Sequence, residues 1–146
     1  MKDQMIRVLI AEDMEPIRRL YAKIISSADD MEIVADVGTG EMAVKKALEY
    51  HPDVILMDIE MEKKDAGLRA VEEIYHAGLN PKIIILTVYE EDEMIFTAFQ
   101  LGVCDYLLKN APQEEVLTSI RNAYHNNSPL RPELATKILG EFKRVK

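Results

Sequence analysis

The sequence predicts an α/β fold, a doubly wound parallel sheet with helices on both faces. Three observations lead there. Five apolar, β-branched runs of strand length recur, "IRVLIA" (6 to 11), "EIVADV" (32 to 37), "VILMD" (54 to 58), "KIIILT" (82 to 87) and "CDYLLK" (104 to 109). Between them lie segments whose apolar residues fall at helical spacing. The two types alternate along the chain, which calls for parallel strands joined by helical crossovers.

Each element has its own justification. The first strand runs into Glu12 and Asp13; Asp13 ahead of "MEPIRR" suits a helix N-cap, with Pro16 in the first turn. Ile17, Leu20, Tyr21, Ile24 and Ile25 then supply the apolar face of a first helix. The second is spaced by Met42, Ala43, Ala47 and Leu48 and ends at "HPD"; the third carries Ala70, Val71 and Ile74 and stops at "GLNP". Met94, Ile95, Ala98 and Phe99 mark the fourth, which ends at "LGV". Its start, "EEDE" (90 to 93), puts acids at the positive end of the helix dipole. Val116, Ile120 and Ala123 mark the fifth. Beyond it "HNNSPLRPE" reads as a linker, and Leu134, Ile138 and Phe142 recur every four residues in one more amphipathic helix.

A chain of 146 residues, 48% apolar and 30% charged, fits one globular domain with a proper core. No apolar run approaches the length of a membrane span, and "MKDQM" lacks the apolar core of a signal peptide, so a cytoplasmic protein without a membrane partner is expected. A single cysteine, Cys104, cannot form an internal disulfide, and its apolar neighbours suit a buried structural thiol. Residues 1 to 127 carry 13 basic and 24 acidic side chains, whereas residues 128 to 146 carry 5 and 2. The acidic body argues against a nucleic-acid surface and is compatible with cation binding.

The run "DVILMDIEM" raises the functional question, because a strand apolar on both faces ends in Asp58, with Glu60 two residues on. An acid is costly in such a core, so Asp58 belongs where the strand emerges. In open α/β sheets ligands bind outside the carboxyl ends of the strands, at the point where strand order switches. Those ends carry Glu12 and Asp13, Asp58, Thr87 and Lys109. If strands one, three, four and five are neighbours, three acids, a hydroxyl and an ammonium share one cleft. Carboxylates so placed repel one another unless a cation sits among them, and Mg²⁺, a hard ion held by a few carboxylates and water, fits. An Asp there could attack phosphorus to give an aspartyl phosphate, with the cation and the ammonium balancing charge on the transferred oxygens.

In these motifs and their order the chain resembles the receiver domain of two-component response regulators, over residues 5 to about 126. The resemblance implies a flavodoxin-like sheet of strand order 2-1-3-4-5. It implies that Glu12 and Asp13 hold Mg²⁺ together with Asp58 and the backbone carbonyl of Glu60, that Asp58 is the phosphoacceptor, and that Thr87 and Lys109 complete the catalytic set. Thr87 and Tyr106 would form the switch, Tyr106 turning inward on activation. The implied activity is a signalling domain that catalyses its own aspartyl phosphorylation and dephosphorylation, served by a sensor histidine kinase. A phosphorylation-dependent homodimer is a further implied partner, with Met94, Ile95 and Phe99 as contacts.

"LTVYEEDE", "LGVCDYLLKN" and "SPLRPELATKIL" are most similar to the NarL/LuxR-type regulators, whose receivers precede a helix-turn-helix domain. On that likeness residues 1–127 are the receiver and 128–146 a linker and helix leading to a DNA-binding domain outside this chain, with transcription as the output. Tyr89 would line the phosphoryl site. Two departures stand out. Glu62 occupies the place of a usual proline and Gly67 comes one residue late, while Asn110 replaces the proline that usually follows the lysine and leaves that peptide trans.

Rival readings are weaker on the residues. A dinucleotide-binding domain needs a glycine-rich turn after the first strand, where "AEDMEP" offers acids instead. An aspartate-based phosphatase carries its nucleophile after the first strand, whereas "DIE" follows the third. A stand-alone receiver acting by protein contact, or a phosphate-independent interaction module, remains the alternative for the output.

Overall fold

The computed structural model describes residues 4–88 and 93–126. Tyr89, residues 90 to 92 of the acidic run and the C-terminal helix expected around Leu134 to Phe142 lie outside the described residues. Strands β1 (Ile6–Ala11), β2 (Met31–Val37), β3 (Val54–Asp58), β4 (Lys82–Thr87) and β5 (Asp105–Leu108) alternate with helices α1 (Glu15–Ser26), α2 (Gly40–Tyr50), α3 (Ala66–His76), α4 (Glu93–Leu101) and α5 (Gln113–Tyr124). All strand pairs are parallel, in the order β2-β1-β3-β4-β5.

The period-two alternation of strand side chains sorts the core into two layers. Leu9, Ala11, Ile55, Met57, Ile83, Ile85 and Tyr106 pack under α2, α3 and α4, while Val8, Ile10, Val54, Leu56, Ile84, Leu86 and Leu107 pack under α1 and α5. Both faces are covered, which is why these strands read as continuous apolar runs. Among the helical residues, Tyr21, Ile24 and Ile25 are buried but Leu20 is exposed, and so is Leu48 beside buried Ala43 and Ala47. Both leucines sit at the margin of their apolar stripe.

Helix ends follow local chemistry. The Thr39 hydroxyl accepts from Met42 N, capping α2. Gly78 and Gly102, just past α3 and α4, take φ of 90° and 112°, a region that favours glycine. Asp13 does not cap α1: the N-cap is Met14, which has no side-chain cap bond, and Asp13 instead turns its carboxylate toward Glu12 and Asp58. β5 is shorter than the apolar run suggests, leaving Cys104 before it and Lys109 after it. No peptide bond among the described residues is cis, Lys109–Asn110 included.

Candidate functional site

Register brings the expected residues level. Ala11 pairs with Met57, Asp58 with Leu86 and Thr87 with Leu108, so the residues at or just beyond these strand ends lie side by side. Lys109 N donates to Thr87 O at 2.8 Å, carrying the ladder one residue past β5. The result is a row of Glu12, Asp58, Thr87 and Lys109 across four neighbouring strands, as the sequence led us to expect.

Within that row Glu12, Asp13 and Asp58 each offer a carboxylate oxygen within 4.8 Å of the others. Glu12 is fully buried and Asp58 is 3% exposed, whereas Asp13 is open to solvent. Lys109 Nζ lies 2.9 Å from Glu12 Oε1 and 3.1 Å from Asp58 Oδ1, bridging the two buried acids. Glu12 Oε2 accepts from Met14 N, and the Glu12 carbonyl accepts from Arg18 Nη1 at 2.7 Å. The other oxygen of the central acid, Asp58 Oδ2, is buried and has no hydrogen-bond partner among the described residues.

These neighbours set the charge state. Burial, then repulsion from Glu12, pushes Asp58 up to about 7; Lys109 pulls the other way without prevailing, and sharing with Asp13 adds to the rise. Lys109 is held above its ordinary value, because its contacts with Glu12 and Asp58 outweigh the cost of burial. One ammonium therefore does not offset burial and the repulsion among the acids, and the protonated form of Asp58 is favoured up to about pH 7. A divalent cation would do the same work without the proton. The fit is chemical as well as electrostatic, since all the donors are hard oxygens and buried Asp58 Oδ2 has no hydrogen-bond partner among the described residues.

Other expected residues take their places with differences. Thr87 is buried at the end of β4, on the same side of the sheet as Tyr106. Tyr106 already lies inward, 4% exposed within the α2–α4 layer. Glu60 is exposed and follows buried Ile59 at the start of the β3–α3 loop. Met94 and Phe99 are partly buried and Ile95 is fully so, packed toward the sheet. Cys104 is only partly buried; its thiol donates to Ile83 O at 3.5 Å and is pushed up to about 11, first by burial.

Sequence reasoning missed four participants. Arg18 holds the Glu12 carbonyl and lies 3.4 Å from Asp36, while Tyr21 places a buried hydroxyl without a partner among the described residues on the α1 side. That phenol is pushed up to about 12 by burial and then by the charges of Glu12 and Asp58. Gly67 was visible only as a misplaced loop glycine. A Cβ there would stand 2.0 Å from Asp58 O, so only glycine lets α3 begin this close to the acid. Glu62 accepts from Gly40 N at 2.7 Å and Glu41 N at 3.1 Å, a pairing across two loops that no local pattern signals.

Comparison with known proteins agrees with this architecture. Residues 8–121 match the model of the response regulator receiver domain. The chain belongs to that family. Oxygen regulatory protein NreC of Staphylococcus carnosus is 33% identical over 136 residues, and that of Staphylococcus aureus strain JH9 is 36% identical, each alignment covering 93% of this chain. The chain spans 63% of the length of those relatives. Among solved structures, a LuxR-family DNA-binding response regulator from Staphylococcus aureus is 33% identical with a TM-score of 0.76, covering 82% of this chain and 99% of that chain. The response regulator domain of Thermotoga maritima CheB is 31% identical, also with a TM-score of 0.76, covering 83% and 97%. This is a receiver of the NarL/LuxR type, a family in which phosphorylation and dependence on Mg²⁺ are general properties. No helix among the described residues is long and apolar enough to cross a membrane.

Proposed function

We propose that Asp58 of this receiver accepts a phosphoryl group from a sensor histidine kinase and that the resulting change of conformation controls transcription. The observation that carries the reading is the cluster itself: three carboxylates within 4.8 Å, a lysine bridging two of them, and Asp58 Oδ2 left without a partner among the described residues. Glu12, Asp13, Asp58 and the Glu60 carbonyl would hold Mg²⁺, which when bound supplies the positive charge that lets an anionic phosphoryl group approach.

The chain's own residues do the rest. Asp58 Oδ2 attacks phosphorus as the bond to the donor breaks, the electron pair leaving with the phosphohistidine nitrogen. Lys109 sits where it can move from the Asp58 carboxylate to a transferred oxygen, and Thr87 offers a hydroxyl donor to another. Thr87 and Tyr106 share one face of the sheet, so a hydroxyl drawn toward the phosphoryl group repacks the layer around Tyr106 and α4. We assign residues 1–127 to the receiver, 128–146 to a linker and helix, and the output to a DNA-binding domain, with phosphorylation promoting a homodimer. The similarity to LuxR-family DNA-binding regulators supports that output, and a cytoplasmic setting follows from it.

The test is intact-mass measurement after incubation with acetyl phosphate. One phosphoryl group should be gained with Mg²⁺, lost with chelator and absent in Asp58→Asn. A gain that survives Asp58→Asn, or that forms equally well in chelator, overturns the assignment.

A further inference from the structure

The β3–α3 loop carries the departure that the receiver function leaves unexplained, Glu62 in the place of a usual proline. Its carboxylate takes both N-terminal donors of α2, Oε1 from Gly40 N and Oε2 from Glu41 N, while Thr39 takes the next from Met42 N. These donors have no partner inside the helix, so an anion from another loop is well placed to satisfy them. At its base the same loop is closed by Gly67 N donating to Ile59 O at 2.7 Å. Packing leaves it no slack. A Cβ on Gly40 would stand 2.7 Å from Ala66 O, and one on Gly67 would stand 2.0 Å from Asp58 O. The α2 N-terminus, the start of α3 and the backbone of Asp58 are thus in direct succession.

We propose that Glu62 is a positioning residue of the Asp58 site: by clasping the α2 N-terminus it fixes the loop from Ile59 to Ala66, and with it the Glu60 backbone that completes the acidic cluster. Among the described residues no hydrogen bond joins Glu62 to Asp58 or to the other acids of the cluster; it acts through the two amides it holds and the loop it belongs to. A proline at this place restricts the backbone of its own loop, whereas Glu62 obtains the same restriction from a neighbouring helix. The inference rests on the reading of Asp58 and Glu60 given above.

Two measurements separate the clasp from that reading. Amide exchange of Gly40 and Glu41 in metal-free protein tests the clasp alone: both should exchange faster in Glu62→Ala than in the parent, with Met42, capped by Thr39, unchanged. Mg²⁺ titration and acetyl phosphate kinetics test positioning. Glu62→Ala should weaken Mg²⁺ binding by about tenfold, the lower end of what loss of a ligand-orienting partner costs, yet reach the parental phosphorylation rate at saturating Mg²⁺. Glu62→Gln, which keeps one acceptor oxygen, should recover part of the affinity. Glu41→Gln removes an equal charge next door without touching the clasp and should leave affinity within about twofold. Unchanged exchange at Gly40 and Glu41 overturns the clasp. Faster exchange with parental Mg²⁺ affinity, or an equal loss in Glu41→Gln, overturns positioning, and a parent that neither binds Mg²⁺ nor gains phosphate overturns the function together with it.

Discussion

The two ends of the sheet treat the same residue types in opposite ways. At the carboxyl end Asp58 is buried beside Glu12, and its carboxyl is pushed up to about 7. At the amino end Asp30, partly exposed, takes a two-pronged bond from Arg121 Nε at 2.8 Å and Nη2 at 3.0 Å, and its carboxyl is lowered, chiefly by that bond. Asp53 at the same end accepts from Arg7 N and gives its carbonyl to Lys82 N. One end uses its charges to join elements together. The other gathers acids that destabilise one another until a cation or a proton intervenes, the signature of a site kept for binding.

Breaking the crowded end should cost most. Gly67→Ala forces a Cβ against the Asp58 carbonyl, where backbone must move, and we expect a loss of about 3 kcal/mol in urea unfolding, at the upper range for overpacking. Little loss would mean that α3 does not begin as close to Asp58 as described.

Neutralising the acid should do the reverse. The Asp58 carboxyl ordinarily ionises near 3.8 but holds its proton to about 7 in the folded chain, so its charge opposes folding. Below pH 3.8 both states are protonated and nothing is lost; stability falls as the pH rises through that window and is flat above it. Asp58→Asn in chelator should therefore be more stable than the parent by about 1–3 kcal/mol at pH 8, a gain that shrinks toward pH 4. Saturating Mg²⁺ should narrow it too, by stabilising the parent. A variant less stable than the parent at pH 8 would show that Lys109, rather than Glu12, dominates the environment of Asp58.

Smaller effects belong to the amino end. Arg121→Ala should cost only about 0.5–1 kcal/mol, because both partners are partly exposed and screened. With the Asp30 carboxyl lowered by the pair, this stability is present above the ordinary Asp range and lost as the pH falls through the lowered value, and high salt should reduce it. Smallest of all is Cys104→Ser, which keeps a donor for Ile83 O and should change stability by no more than about 0.5 kcal/mol. With its thiol pushed up to about 11, Cys104 should alkylate slowly at pH 8. Fast labelling would give the amino end a reactive group it is not expected to have.

The sequence by itself determined the layers and which residues meet at the carboxyl ends of the strands. Strand runs such as Val54–Asp58 and Lys82–Thr87 announce themselves because burial on both faces demands unbroken apolar residues, and a charged residue can follow them only where they surface. Once strand ends carry chemistry, listing them lists Glu12, Asp58, Thr87 and Lys109. What only the tertiary structure decided are matters of relative placement. Which acid keeps a proton depends on distances among side chains up to 97 positions apart, Glu12 and Lys109 being the extreme. The turning of Asp13 away from its helix, the burial of Tyr106 and the grip of Glu62 on α2 likewise follow from how loops meet. Local propensity says what a segment can form; the partner of a buried oxygen or an unpaired helix amide is chosen by whatever the fold brings within 3 Å.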